Sequence, residues 1–138
     1  MRYMIIVRAT AQSEAGVMPP PEDGLMAEMA AFHEQLAQAG VLLDANGLRP
    51  SSEGWRIRHQ RGQRLLIDGP FAETKELIAG YTLIQVRSRE EAMEWARRFP
   101  APFRDQLCEI EVRRLYELED FEDQACVDRF RELPPYKN

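Results

Sequence analysis

Two segments of helical periodicity each hand the chain directly to a segment of strand periodicity. That alternation limits the fold more than any other feature of the sequence. In the first segment Leu25, Met29, Phe32 and Leu36 recur at i, i+4, i+7 and i+11, one stripe of a helix. Asp23 is its expected N-cap, Ala39 its expected end, and Gly40 stands where a glycine stop belongs. In the second, Ser88-Arg89-Glu90-Glu91 has the pattern of a capping box. Ala92, Trp95, Ala96 and Phe99 form its apolar stripe, and Pro100 closes it.

The strands fall around these helices. Residues 3–7 read as a short buried strand, and a loop with Gly16 and Pro19-Pro20-Pro21 leads from Ala9 to Gly24. A second strand starts at Val41 and runs towards Leu48, with Asn46-Gly47 and Pro50-Ser51-Ser52 as breakers. Residues 55–59 alternate apolar and basic and turn near Gly62 into residues 64–67, a half-exposed hairpin. Residues 80–86 form another strand, with Tyr81, Leu83 and Gln85 on one side and Thr82, Ile84 and Val86 on the other. Residues 108–115 form the last, with Ile110 and Val112 inward. The order β-α-β-(β-β)-β-α-β is that of an α+β, ferredoxin-like split βαβ antiparallel sheet with an inserted hairpin. Met4, Ile6, Ile84 and Val86 are read as a second apolar face, which a second copy of the chain would cover, so a homodimer is expected.

With 138 residues the chain makes one domain, residues 1–116, plus an acidic C-terminal extension, residues 117–138. Cys126, Phe130 and Leu133 mark a short amphipathic helix there. A hydrophobic share of 44% with 30% charged residues excludes wholesale disorder. The net charge of −5 argues against a nucleic-acid partner. The opening residues are too few and too charged for a signal peptide, and no apolar run approaches the ~18 residues of a membrane span. The two cysteines form no CxxC pair, and small buried thiols in a cytoplasmic protein are expected. No zinc, EF-hand, P-loop or dinucleotide motif is present, so no metal or cofactor is expected.

The most distinctive stretch is Asp68-Gly69-Pro70-Phe71-Ala72-Glu73-Thr74-Lys75-Glu76. Proline pushes Gly69 towards an extended or glycine-only conformation. Asp68 is expected to accept hydrogen bonds from the turn at 72–74, and Phe71 to plug the loop into the core. The stretch either shapes a loop or lines a pocket, with Gly69, Pro70, Phe71, Glu73 and Lys75 meeting a ligand. His33, at the edge of the first helical stripe, is either a boundary histidine or a general base oriented by Asp44 or Asp68. His59 lies among Arg56, Arg58, Arg61 and Arg64 and reads as surface. Those arginines either bind an anion or solvate one face and pair with the acidic tail.

The nine-residue string, followed by Gly80-Tyr81-Thr82-Leu83-Ile84, resembles the signature of the DGPF-domain proteins, a branch of the YCII-related family. The resemblance extends to residues 2–7, Gly40-Val41-Leu42, Glu91-Ala92, Glu94-Trp95-Ala96 and Glu111-Val112-Arg113, about residues 2–115 in all. It implies a ferredoxin-like fold of the dimeric α/β-barrel type with a pocket between helix and sheet. Some members act on aromatic ring compounds, a dehydrochlorinase among them, and the related muconolactone isomerases share the fold. DGPF members often accompany extracytoplasmic-function sigma factors. The enzyme-like members are similar in pairing a histidine of the first helix with an aspartate near the second strand. That histidine is expected near Met29, and His33 lies one turn later, while Asp44 is close to the aspartate position. The expectation is a small-molecule pocket protein with His33, Asp44 and Asp68 as its polar groups. It would be an acid/base lyase or isomerase for a small ring compound, or a non-catalytic ligand-binding or regulatory module linked to such sigma factors.

Overall fold

Ile5, Leu36 and Ile84 are fully withdrawn from solvent, and they come from a strand, a helix and a second strand. The computed structural model describes residues 1–104 and 106–137. Its strands are β1 (Arg2–Arg8), β2 (Leu42–Gly47), β3 (Trp55–Gln60), β4 (Gln63–Asp68), β5 (Ile78–Gln85) and β6 (Ile110–Arg114). Its α-helices are α1 (Ala11–Glu14), α2 (Leu25–Gln38), α3 (Arg89–Arg97) and α4 (Gln124–Arg131). The main sheet has the order β2-β5-β1-β6, antiparallel throughout. Helix α2 connects β1 to β2 across β5, and α3 connects β5 to β6 across β1. That is the split βαβ, ferredoxin-like arrangement expected from the sequence.

Both helices cover one face of the sheet. Phe32 and Leu36 of α2 and Ala92 of α3 pack on Tyr3, Ile5, Ile84 and Val86. Each buried side chain of this kind stabilises the fold by roughly 1.5–3 kcal/mol. One assignment changes as a result. Tyr3 stands opposite Ile84 and Met4 opposite Leu83. Ile84 and Val86 therefore belong to the helix-covered face, and the open face carries Met4, Ile6, Tyr81 and Leu83. Strand periodicity gives alternation within each strand, but only the pairing register says which sets coincide.

Several local expectations also change. The stretch from Ala9 to Gly24 contains α1, opened by Thr10, whose Oγ1 accepts from Ser13 N at 3.2 Å while Ser13 Oγ accepts from Thr10 N at 2.9 Å. Gly24, at φ +75°, takes the N-cap position of α2. Asp23 still caps from one residue back, accepting from Leu25 N at 2.8 Å. Asn46-Gly47 does not break β2, because the two residues pair with Tyr81 and Gly80 of β5. Helix α4 buries Val127, while Cys126, Phe130 and Leu133 line a shallow groove of about 350 Å³. Cys126 is exposed, not a small buried hydrophobe. Asp123 caps α4 by accepting from Cys126 N at 3.1 Å, which lowers its carboxyl below the ordinary value. Among the described residues no helix is long and apolar enough to cross a membrane.

Strands β3 and β4 form a separate two-stranded ribbon. Arg61 (φ +48°) and Gly62 (φ +77°) make its two-residue turn. At its base Gly69 N donates to Gly54 O at 3.0 Å, and Phe71 N donates to Ser51 Oγ at 3.1 Å. Ser51 in turn donates through its N and Oγ to the Glu14 carboxylate. Gly69 is required here by proximity and not by a left-handed φ: a Cβ would lie 1.8 Å from the Ser51 carbonyl oxygen. Asp68 makes no hydrogen bond to the 72–74 turn among the described residues; there Thr74 N donates to Ala72 O at 3.1 Å. Phe71 packs under the Arg56 guanidinium, 3.8 Å from its ring centre, and stays outside the main core.

Gly69→Ala is expected to destabilise the chain by on the order of 1–3 kcal/mol, since backbone must shift to admit the methyl group. Thermal melts of the two proteins check this, and an unchanged midpoint contradicts it.

Candidate functional site

Thr82 is the one polar side chain in the interior of the described residues, at 2% exposure. A buried hydroxyl without a partner costs roughly 1–3 kcal/mol, so its position needs a reason. The reason is His33. Helix α2 places the imidazole over β5, and Nε2 lies 2.8 Å from Thr82 Oγ1. Nδ1 lies 2.7 Å from the Met29 carbonyl oxygen, one turn earlier in the same helix. A carbonyl only accepts, so Nδ1 carries the hydrogen. In the neutral ring Nε2 then accepts from the Thr82 hydroxyl. On protonation the bond reverses: Nε2–H donates to Thr82 Oγ1, and the hydroxyl hydrogen is freed to point elsewhere. The ring edge also packs against Phe32 and Phe99, at centroid distances of 5.4 and 6.2 Å.

His33 and Thr82 form part of the wall of a cleft of about 770 Å³ between α2, β5 and the segments before α2 and after β2. Most of that wall is apolar: Val17, Met18, Met26, Met29, Leu48 and Phe103 are among its side chains. Unbranched, polarisable methionines adapt to ligands of irregular shape. Arg49 and Glu53 stand on the same wall, joined at 2.8 Å from Nε to Oε1. The hydrogen bond to Glu53, and then its charge, raise Arg49 above the ordinary arginine value.

Asp44 lies elsewhere. Its Oδ2 accepts from Tyr81 OH at 3.1 Å, and its Oδ1 accepts from Asn46 Nδ2 at 3.1 Å and Ala45 N at 2.9 Å. Asn46 Nδ2 also donates to Tyr81 OH at 3.0 Å. This exposed cluster sits on the open face, because Tyr81 and Thr82 point to opposite sides of β5. The cause is a slip of one residue in β2. Leu42 pairs with Ile84 but Asp44 pairs with Leu83, which leaves Leu43 as an extra residue. With no slip, Asp44 would stand opposite Thr82; with it, Ala45 does, and Ala45 lines the cleft.

The structure thus brings His33 to a cavity but does not bring Asp44 or Asp68 to His33. No carboxylate lies within 4.0 Å of either ring nitrogen among the described residues. Asp68, Gly69, Pro70, Phe71, Glu73 and Lys75 are not in the cleft wall. Gly69 and Phe71 act from behind it, since their contacts with Ser51, which is held by Glu14, brace the segment that carries Pro50 and Glu53 of the wall. Sequence reasoning missed Thr82 as a partner of His33. The signal was available: one hydroxyl between Gly80 and Ile84 on an otherwise apolar strand face.

A family model described as YCII-related domain matches residues 1–116. The chain is also similar to an uncharacterized protein of Rhizobium meliloti (strain 1021), 36% identical over 76 residues. That match covers 55% of this chain and 61% of the relative, so it spans about three fifths of the relative's length.

Nitrogen NMR of the imidazole at a pH where His33 is neutral is expected to show the hydrogen on Nδ1. A hydrogen on Nε2 contradicts the reading of the Met29 contact.

Proposed function

The chain belongs to the YCII-related family, and on that premise we propose that it is a small-molecule pocket protein whose ligand enters the cleft over His33. The observation that carries this reading is the cleft itself, about 770 Å³ with a mainly apolar wall and a His33–Thr82 pair set into it. Cavities of roughly 300–1,000 Å³ enclose molecules of drug-like size. The ligand class is a compact, largely apolar molecule with one hydrogen-bonding group that meets Thr82 or His33. A small ring compound fits that description.

A second reading, acid/base catalysis of the lyase or isomerase kind, is favoured by one feature of His33. Met29 fixes Nδ1, which leaves Nε2 as the nitrogen that exchanges a proton at the cleft. A carboxylate partner is not needed to set this tautomer, because the backbone carbonyl does so. A non-catalytic ligand-binding or regulatory module uses the same cleft and differs only in leaving the ligand unchanged.

The open sheet face supports the homodimer. Met4, Ile6, Tyr81 and Leu83 form its centre, half-buried, with Arg113, Glu111, Asp44 and Asn46 around them. Two such faces laid together would withdraw the apolar centre from water. The two free cysteines suit a reducing cytoplasm.

Binding of anilinonaphthalene sulfonate, read by fluorescence, tests the cleft. Met26 is an exposed part of its wall, so Met26→Glu, which sets a negative charge against the sulfonate of the probe, is expected to leave the melting midpoint in place and weaken binding by roughly tenfold or more. Equal binding by both proteins contradicts a ligand site in this cleft.

A further inference from the structure

The β3–β4 ribbon and the C-terminal segment 117–137 are opposite in charge, and no ion pair joins them among the described residues. We propose that in the homodimer each ribbon clasps the C-terminal segment of the second copy. This inference rests on the dimer proposed above and adds a second contact to it.

Among the described residues the strands of the ribbon pair only with each other. A lone two-stranded hairpin is marginal in water. Here Trp55 and Leu66 are 63% and 61% exposed on one face together with Ile57, and Leu65 is exposed on the other, opposite Arg58. Residues 55–68 hold four arginines against one carboxylate. Arg56 covers Phe71, but none of the four makes an ion pair among the described residues. The acidic tail that the sequence offers as their partner does not reach them.

The tail has the opposite character. Residues 117–138 hold seven carboxylates against three basic side chains. Phe121, Phe130, Leu133 and Tyr136 are exposed among them. The Trp55–Ile57–Leu66 face of the ribbon and the exposed apolar side chains of the tail therefore lie among charges of opposite sign.

Position decides between a clasp within one chain and a clasp between two. The tail leaves the sheet at the start of β1, where Glu117 pairs with Arg2 at 3.1 Å. The ribbon is anchored at the other end, where Ser51 holds Glu14 beyond the last residue of β1. A seven-residue strand separates the two anchors by about 20 Å, at ~3.3 Å per residue. The ribbon follows β2 at one edge of the sheet and the tail follows β6 at the opposite edge, so a two-fold axis that stacks the open faces and runs obliquely to the strands carries each ribbon to the other copy's tail. The contact then forms twice, reciprocally, and the assembly closes.

Two full-length double variants test the clasp: Arg58→Glu with Arg64→Glu, and Glu119→Lys with Glu122→Lys. Sedimentation velocity over a concentration series reads the dimer constant. Each variant alone is expected to weaken the dimer by roughly tenfold or more, through like-charge contact at both clasps. An equimolar mixture of the two is expected to recover wild-type dimerisation, because in the heterodimer both clasps join opposite charges. Native mass spectrometry then finds the heterodimer as the main species. A wild-type dimer that both variants reproduce unchanged overturns the clasp and leaves the sheet-face dimer standing. Loss of dimerisation that the mixture fails to recover also overturns it. A wild-type chain that stays monomeric overturns clasp and dimer together.

Discussion

A slip of one residue in β2 governs the chemistry of this chain. The register of β5 against β1 puts Thr82 and Ile84 under α2 and turns Tyr81 and Leu83 the other way. The extra residue Leu43 then decides what β2 adds to each side. A regular ladder would put Asp44 beside Thr82, within the surroundings of His33. The slip sends Asp44 to the open face and offers Ala45 in its place. Because side chains alternate along a strand, one inserted residue exchanges the two faces for everything beyond it. The sheet therefore works as a partition. On one side are His33, Thr82 and a largely apolar cleft; on the other the Asp44 carboxylate meets the side chains of Tyr81 and Asn46, two residues that also line part of the cleft. Among the described residues no aspartate orients His33, and the Met29 carbonyl takes that role from within the same helix.

The string around Gly69 acts at a distance from the cleft. Its tight approach to Ser51, and the link from Ser51 to Glu14, tie the ribbon base to α1. Ser13 and Gly16 lie on one side of this tie, Pro50 and Glu53 on the other, and all four line the cleft. A motif that looks like a binding loop thus fixes the segments that do the lining. The requirement at Gly69 is steric and specific: no residue with a Cβ fits against the Ser51 carbonyl without backbone movement.

Much of this was legible in the sequence. The stripes Leu25–Met29–Phe32–Leu36 and Ala92–Trp95 gave the two helices, since 3.6-residue periodicity is a local property. The β-α-β-(β-β)-β-α-β order followed from them. What failed was long-range. Ile84 and Val86 share a face with Tyr3 and Ile5 and not with Met4 and Ile6, because alternation does not reveal which residue of β1 faces which residue of β5. Asn46-Gly47 looked like a break, yet pairing with Tyr81 and Gly80 holds it in the strand. Leu43 carries no mark of a bulge. The His33–Asp44 pairing depended on that register, so no amount of local reading reaches it.

The partition can be tested at the imidazole itself. The ring nitrogen resonances of His33 are compared in the wild-type chain, in Asp44→Asn and in Thr82→Val. If the sheet separates the two groups, Asp44→Asn leaves both resonances where they are, while Thr82→Val moves Nε2. A displaced Nε2 resonance in Asp44→Asn, with Thr82→Val silent, would place the aspartate on the His33 side of the sheet and contradict the register on which the site is built.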